Sequence, residues 1–328
     1  MNVRAELNKV TEKSNLQVTP ELKCTTMPPP QTNQALPPGH VIDGYRFERQ
    51  LSMGGFSIVY LAYDPQGTPV AIKEYLPHAL AQRLVGLVPQ VSPANREAYQ
   101  NGLMAFYEEG IALARLNHPN VVHVINFLRA NDTVYLVMRY ERGRTLHDHI
   151  RKHHKEFRES FVRGVFARLL SGLREVHANK LLHLDIKPSN IWLRTDGTPV
   201  LLDFGATRQS LCQVDPDLRP TYTPGYAAPE QYGNQPDQGP WTDIYAVGAS
   251  MYACLAAAAP QPADFRLVKD GLVPAAKRWA GQYSTQLLDT IDQCMHLDPL
   301  ERPQSVFTLQ RMLASNAQPD ASADPAET

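Results

Sequence analysis

His183-Leu184-Asp185-Ile186-Lys187-Pro188-Ser189-Asn190, followed after twelve intervening residues by Asp203-Phe204-Gly205, is the stretch on which the reading of this chain turns. Its spacing is D-x4-N-x12-D. Asn190 and Asp203 are hard oxygen ligands of the kind that Mg²⁺ takes, Asp185 is a carboxylate able to act as a base, and Lys187 is a cation two residues beyond it. Moving a phosphoryl group from a nucleotide to a hydroxyl needs this set. A divalent metal neutralises phosphate charge, a carboxylate orients the hydroxyl and accepts its proton, and a cation sits on the transferring group. Taken singly, each residue is an ordinary loop former. The joint spacing carries the signal.

Working upstream, Val70-Ala71-Ile72-Lys73 ends a strand-like run with a lysine, and Glu109 lies on a later helix. A lysine deep in a cleft needs a carboxylate to hold its ammonium against nucleotide phosphates, and Lys73 with Glu109 is the candidate pair. Glu108 is adjacent, but counting back from His118-Pro119 favours Glu109. Leu51-Ser52-Met53-Gly54-Gly55-Phe56-Ser57-Ile58-Val59 joins two strands where backbone N–H groups could cover phosphates. Glycine there supplies unusual φ and close approach. By itself this loop reads equally well as a plain hairpin.

The surrounding pattern predicts strands at 45–51, 58–63 and 70–75, with Asp64-Pro65-Gln66-Gly67 as the hairpin turn of an antiparallel meander. Apolar residues at helical spacing predict a helix over 103–116, stopped by Asn117-His118-Pro119. Strands at 121–128 and 133–139 follow, around the turn 129–132. Beyond Gly143 the pattern is mainly helical, with one β-rich interlude over 181–204. The expectation is a β-rich lobe with one main helix joined to a helical lobe, an α+β arrangement with a ligand cleft between lobes.

The 328 residues have 43% apolar and 20% charged side chains, and 32 basic against 33 acidic groups leave a formal net charge of −1. That balance gives no reason to expect nucleic acid as a partner. Cys24, Cys212, Cys254 and Cys294 lie far apart with no C-x-x-C, which argues against a zinc site or a disulfide framework and for a reducing cytoplasm. The N-terminus lacks the apolar core of a secretory signal. The apolar run 244–259 falls short of the roughly 20 residues that span a bilayer, so a buried helix is expected and no membrane anchor. Residues 1–42, rich in Pro, Gln, Thr and Asn, read as a disordered tail, and 315–328 as a flexible one.

The order of these motifs resembles that of the protein serine/threonine kinases of the eukaryotic-like (Hanks) type found in bacteria, from Tyr45 to Arg311. The resemblance implies the bilobal protein-kinase fold, with an N-lobe and hinge over 43–141 and a C-lobe over 142–314. It implies ATP and Mg²⁺, or Mn²⁺, as cofactors, and Ser or Thr side chains of proteins, its own included, as substrates. Val70-Ala71-Ile72-Lys73 is similar to the β3 lysine motif, Glu109 to the αC glutamate, and His183-Leu184-Asp185 with Asn190 to the catalytic loop. Asp203-Phe204-Gly205 is similar to the metal-binding triplet and Ala228-Pro229-Glu230 to the end of the activation segment. The nucleotide would lie against Ser52, Gly54, Gly55, Ser57, Val59, Ala71 and Lys73. Met138 would be the gatekeeper, with Arg139 to Glu141 as the hinge. Asp243 would be the buried aspartate under a spine of Val124, Leu113, Phe204 and His183, and Arg302 would pair with Glu230. Lys187 and Thr223-Pro224-Gly225-Tyr226 are of the serine/threonine type, with Thr223 bridging Asp185 and Lys187. A cognate phosphatase follows only by analogy.

Two departures from the family pattern carry expectations. Ser52 and Ser57 replace the first and third loop glycines, which predicts a weaker nucleotide clamp. Leu184 replaces the arginine before the catalytic aspartate, removing the charge that an activation-loop phosphate would neutralise. Activity independent of loop phosphorylation is expected, although Thr207, Ser210 and Thr221 remain available for modification. The same departures motivate a pseudokinase scaffold as the alternative function; a small-molecule kinase is argued against by Lys187 and Ala228-Pro229-Glu230. The connection after Lys73, over 76–102, is long for a structureless loop. His149 and His153, four apart, could chelate a metal, although a polar helix face explains them more simply.

Overall fold

In the computed structural model, residues 33–153, 157–204, 222–232 and 238–314 are described. Six strands form an antiparallel sheet in the order β1-β2-β3-β4-β8-β7. They are β1 (Val41–Ile42), β2 (Tyr45–Met53), β3 (Ser57–Tyr63), β4 (Pro69–Tyr75), β7 (Val124–Ala130) and β8 (Thr133–Arg139). The β3–β4 turn forms where the Asp-Pro-Gln-Gly signal lies: Asp64 Oδ1 accepts from Gln66 N at 2.9 Å and Thr68 N at 2.7 Å, and Gly67 takes φ +81°. The β7–β8 hairpin turns on Asn131 and Asp132, both left-handed, as a right-twisted two-residue hairpin requires. β7 begins at Val124 rather than Val121 because the preceding backbone is committed elsewhere. Val122 N donates to Leu201 O at 3.0 Å, and Leu201 N to Asn120 O at 2.9 Å, stitching this segment to the second lobe.

The helix α1 (Arg96–Ala114) starts seven residues before its apolar periodicity does, because Tyr99 is the one buried side chain ahead of Ala105 and a lone apolar residue shows no period. Phe106, Glu109, Gly110 and Leu113 line its buried side against β7 and β8. A Cβ on Gly110 would strike the Phe127 ring, so close packing of helix on sheet requires glycine there.

The opposite face of the sheet is covered as well. Ile58, Tyr60, Ile72, Glu74 and Tyr135 are all 0% exposed. The cover comes from two places that sequence reading assigned to a tail and an unexplained connection. Residues 33–42, expected as the end of a disordered tail, instead pack here: Leu36 is buried, its N–H donates to Tyr60 Oη, and Asn33 Nδ2 donates to Ala81 O. The connection folds into the short hairpin β5 (Ala81–Gln82) and β6 (Gln90–Val91), and it drives Arg83 into the sheet. Arg83 and Glu74 form a fully buried ion pair, to which Tyr60 and Tyr135 both donate hydroxyl bonds. Every charge and hydroxyl in this cluster has a partner, which is the condition for burying it.

The second lobe contains β9 (Gly143–Thr145), α2 (Leu146–His153), α3 (Glu159–Ala178), β10 (Ile191–Arg194) and β11 (Pro199–Leu201), with β10 between the other two strands. Its centre is α4 (Pro240–Ala256), buried from Thr242 to Cys254. Pro240 suits the first helical position, and the left-handed Ala257 ends the helix. This is the buried helix expected from the apolar run. No helix among the described residues is long and apolar enough to cross a membrane. α5 (Ala263–Val268), α6 (Ala275–Arg278), α7 (Thr285–Cys294) and α8 (Val306–Ala314) complete the lobe. The expected bilobal α+β arrangement is what the chain forms.

Candidate active site

The loop before β10 is held from below by Asp243, in the first turn of α4. His183 N and Leu184 N donate to its two oxygens at 2.9 and 2.7 Å, and His177 Nε2 donates at 2.8 Å. Burial alone would push the Asp243 carboxyl up, but His177 and the charge around it bring it below the ordinary value. Leu184 is left-handed at φ +63°, a strained conformation for a leucine, and the Asp243 bond fixes it. The His183 ring is wholly buried and lies 4.4 Å from Phe204, centroid to centroid. Its Nε2 donates to Leu202 O at 2.9 Å and its Nδ1 accepts from Asp185 N at 3.2 Å, which fixes a neutral tautomer. Burial lowers its basicity accordingly. Val124 and Leu113 are buried too, as the proposed spine requires.

Above this base, Asp185 Oδ2 accepts from Lys187 Nζ at 2.7 Å and Oδ1 accepts from Thr223 Oγ1 at 2.8 Å. Lys187 Nζ also reaches Thr223 Oγ1 at 2.6 Å, closing a triangle. Asn190 Nδ2 donates to the Asp185 carbonyl and carboxylate at 2.9 and 3.0 Å, so its amide oxygen is the end available to a metal. Gln231 extends the scaffold: its Nε2 donates to Leu184 O at 2.9 Å while its Oε1 accepts from Ala228 N. Glu230 and Arg302 form the expected pair, 2.8 Å apart and almost completely buried, with Thr242 as a further donor.

Lys73 Nζ donates to Asp203 Oδ1 at 2.6 Å, which brings a second carboxylate to the lysine whose expected partner is Glu109. Glu109 lies on the neighbouring helix α1. It is 3% exposed, one turn beyond Phe106, over whose ring Lys73 Nζ sits at 5.6 Å, while Glu108 is exposed. The Lys73 charge holds the Asp203 carboxyl far below the usual carboxylate range. Asp203 is half-exposed, and its left-handed φ of +58° is a second strained position beside the chemistry. Gly205, Thr207, Ser210 and Thr221 lie outside the described residues.

Register places Val59 beside Lys73 and Ala71 beside Met138, so these four side chains share the sheet face that carries Lys73. Arg139 N donates to His123 O at 2.9 Å, and the Glu141 side chain is held by Arg194 through two 2.7 Å bonds. Ser52 pairs with Val59 just past a register shift between Gln50 and Ser52, and Ser57 pairs with Tyr75. Neither serine has a positive φ, and the turn between the two strands is Gly54-Gly55-Phe56. Neither Gly54 nor Gly55 has a positive φ, and a Cβ on either would meet nothing nearer than 3.6 Å. His149 packs against Phe157 and Phe161 at 5.6 and 5.0 Å, and no group of three or more His, Cys, Asp or Glu suited to a metal occurs among the described residues.

Residues 45–314 match the family model for the protein kinase domain. Serine/threonine-protein kinase C of Synechocystis sp. is 30% identical, with 83% of this chain and 50% of that protein aligned. Serine/threonine-protein kinase PknA of Nostoc sp. is also 30% identical, over 79% of this chain and 44% of its own length. The chain therefore spans about half the length of these curated relatives. Among solved structures, the apo form of PpkA-294 is similar at a TM-score of 0.77 and 33% identity, covering 85% of this chain and 99% of that one. A match that runs through both lobes, and through the loop clamped by Asp243, assigns the chain to the protein kinase family, in its bacterial eukaryotic-like branch.

Proposed function

We propose that the chain transfers the γ-phosphoryl group of ATP to Ser or Thr hydroxyls of proteins, itself included. The observation that carries this is the closed triangle of Asp185, Lys187 and Thr223. Asp185 has one oxygen on Lys187 and the other on Thr223, an orientation in which a substrate hydroxyl replaces Thr223 and delivers its proton to the carboxylate. The hydroxyl oxygen then attacks the γ-phosphorus, the bond to the bridging oxygen breaks, and ADP leaves. Lys187 offsets charge on the group in flight, and Lys73 holds the phosphates.

Protein kinases use ATP with a divalent metal, and the donor set fits one. Asp203 and the Asn190 amide supply two hard oxygens, and Mg²⁺ is ordinarily held by one or two such groups plus substrate phosphates. Mg²⁺, or Mn²⁺ in its place, would neutralise phosphate charge there. Adenine would meet the backbone of 139–141 beside Met138, and the phosphates would lie under residues 52–57. Gly54 and Gly55 would face them closely, with Ser52, Ser57, Val59 and Ala71 framing the pocket.

Leu184 supports activity that does not wait for loop phosphorylation. It is buried, carries no charge to be neutralised, and is held by Asp243 and Gln231. The reading extends to action in the cytoplasm, opposed by a phosphatase. No observation favours the scaffold alternative, since the residues for metal, base and cation are present and oriented. The test is transfer of labelled γ-phosphate to a generic basic protein, followed by phosphoamino-acid analysis. Label on phosphoserine or phosphothreonine, lost in Lys73→Ala, is expected. Nucleotide binding without transfer would return the scaffold reading.

A further inference from the structure

We infer that His78 is a positioning residue for the nucleotide, bracing the glycine turn from the connection that follows Lys73. The inference rests on the reading above that residues 52–57 cover the phosphates. Three bonds join the two segments: Leu76 N donates to Phe56 O at 2.9 Å, His78 N donates to Gly55 O at 3.0 Å, and His78 Nδ1 lies 2.9 Å from the same oxygen. A carbonyl only accepts, so Nδ1 carries the proton. The ring also lies flush with the turn, 3.6 Å from where a Cβ on Gly55 would stand.

The brace is itself anchored. Pro77 O accepts from Leu80 N and Ala81 N at 3.0 and 2.9 Å, and the next turn of chain carries Arg83 to Glu74, Tyr60 Oη and Gln34 O. Glu74 follows Lys73 directly on β4, and successive side chains of a strand point to opposite faces. One strand therefore presents the phosphate-binding lysine to one side and the anchor of the connection to the other. In a trans peptide the N–H points opposite its C=O. With the Gly55 and Phe56 carbonyls held on the connection, the Phe56 and Ser57 N–H groups are turned away from it. A turn already fixed in this way loses less freedom when a ligand orders it. The brace would thus offset the glycines absent at 52 and 57.

The experiment measures ATP affinity by calorimetry with Mg²⁺, alongside steady-state kinetics, in the full chain. His78 is half-buried and borders an open pocket of about 400 Å³, so His78→Ala leaves no closed void. His78→Ala should weaken ATP binding about 5-fold, the equivalent of one hydrogen bond, with kcat at saturating ATP nearly unchanged. His78→Asn, whose amide can donate to Gly55 O, should recover most of the loss. Gly54→Asp is the control. Its Cβ has room, with Ser57 O nearest at 3.8 Å, and its carboxylate would repel phosphates. If Gly54→Asp weakens ATP binding and His78→Ala does not, the brace is overturned while the loop reading stands. If neither variant changes affinity, the loop reading fails and the brace fails with it.

Discussion

Each lobe buries a carboxylate completely, and the two are satisfied in different ways. Asp243 takes two backbone N–H groups and an imidazole, while Glu74 takes a guanidinium and two phenol hydroxyls. Both bear the desolvation cost of a buried charge, but what they hold differs. Asp243 fixes backbone, the strained Leu184 next to Asp185, so its partners are the chain itself. Glu74 fixes architecture, tying the connection of 76–95 to the sheet, so its partners are side chains from distant segments. Burial pushes the Tyr60 and Tyr135 hydroxyls up, and the Glu74 charge adds to it, so both remain donors at any physiological pH. A buried carboxylate that grips backbone serves geometry at the site. One that grips side chains serves the assembly of the lobe.

Asp243→Ala breaks the comparison at its most sensitive point. It leaves two buried N–H groups without acceptors, costing about 1–3 kcal/mol each. It also releases Leu184, and displacement of Asp185 should lower kcat by roughly 100-fold in the fraction that stays folded. Urea unfolding and single-temperature kinetics on the same preparation would read both. Arg83→Ala, by contrast, leaves Glu74 buried without its cation, and stability should fall by about 3–5 kcal/mol. Its kcat at saturating ATP should change far less than that of Asp243→Ala. An Arg83→Ala enzyme with unaltered stability and lost turnover would reverse the assignment of the two roles.

A smaller effect comes from pH. His183 is held neutral, with its basicity lowered first by burial, so its contribution to stability is complete above the ordinary histidine value of 6.5. That contribution is lost as pH falls below 6.5 toward the folded-state value, because the unfolded chain then takes up the proton more readily. Denaturation midpoints should therefore fall between pH 7.5 and 5.5, with a shallower slope in His183→Phe. The smallest effect expected is none. Phosphatase treatment should leave initial velocity within about 2-fold of untreated enzyme, since Leu184 presents no charge that needs a phosphate.

The contrast also explains what was legible in the sequence. Asp185, Lys187, Asn190 and Asp203 stand out in the sequence because the proposed reaction would fix their types and a short loop fixes their spacing. The Glu230–Arg302 pair, too, was found through motif order. The strand 133–139 was read to the residue, since period and turn agreed. Glu109 is buried where Glu108 is exposed, and the contact of Lys73 with Asp203 depends on how the lobes meet, which no local pattern encodes. Arg83, Asn33 and Leu36 were missed for the same reason. A single arginine after Ala81-Gln82 looks like surface, and a proline-rich stretch looks like tail, until a sheet face 0% exposed at Tyr60 and Ile72 demands a cover. His78 and Gln231 act through backbone carbonyls, and such partners leave no trace in side-chain patterns.

The proposed function turns on Asp185 taking the proton of a Ser or Thr hydroxyl while other residues, Lys73, the 52–57 turn, Asn190 and Asp203, hold ATP and its metal. Asp185→Asn keeps size and can keep the contact with Thr223, but it removes the base. Measured against the native chain with ATP, Mg²⁺ and a protein substrate, it should retain ATP affinity and lose kcat by about 10²–10⁴-fold. Phosphate transfer at an undiminished rate in Asp185→Asn would contradict the account.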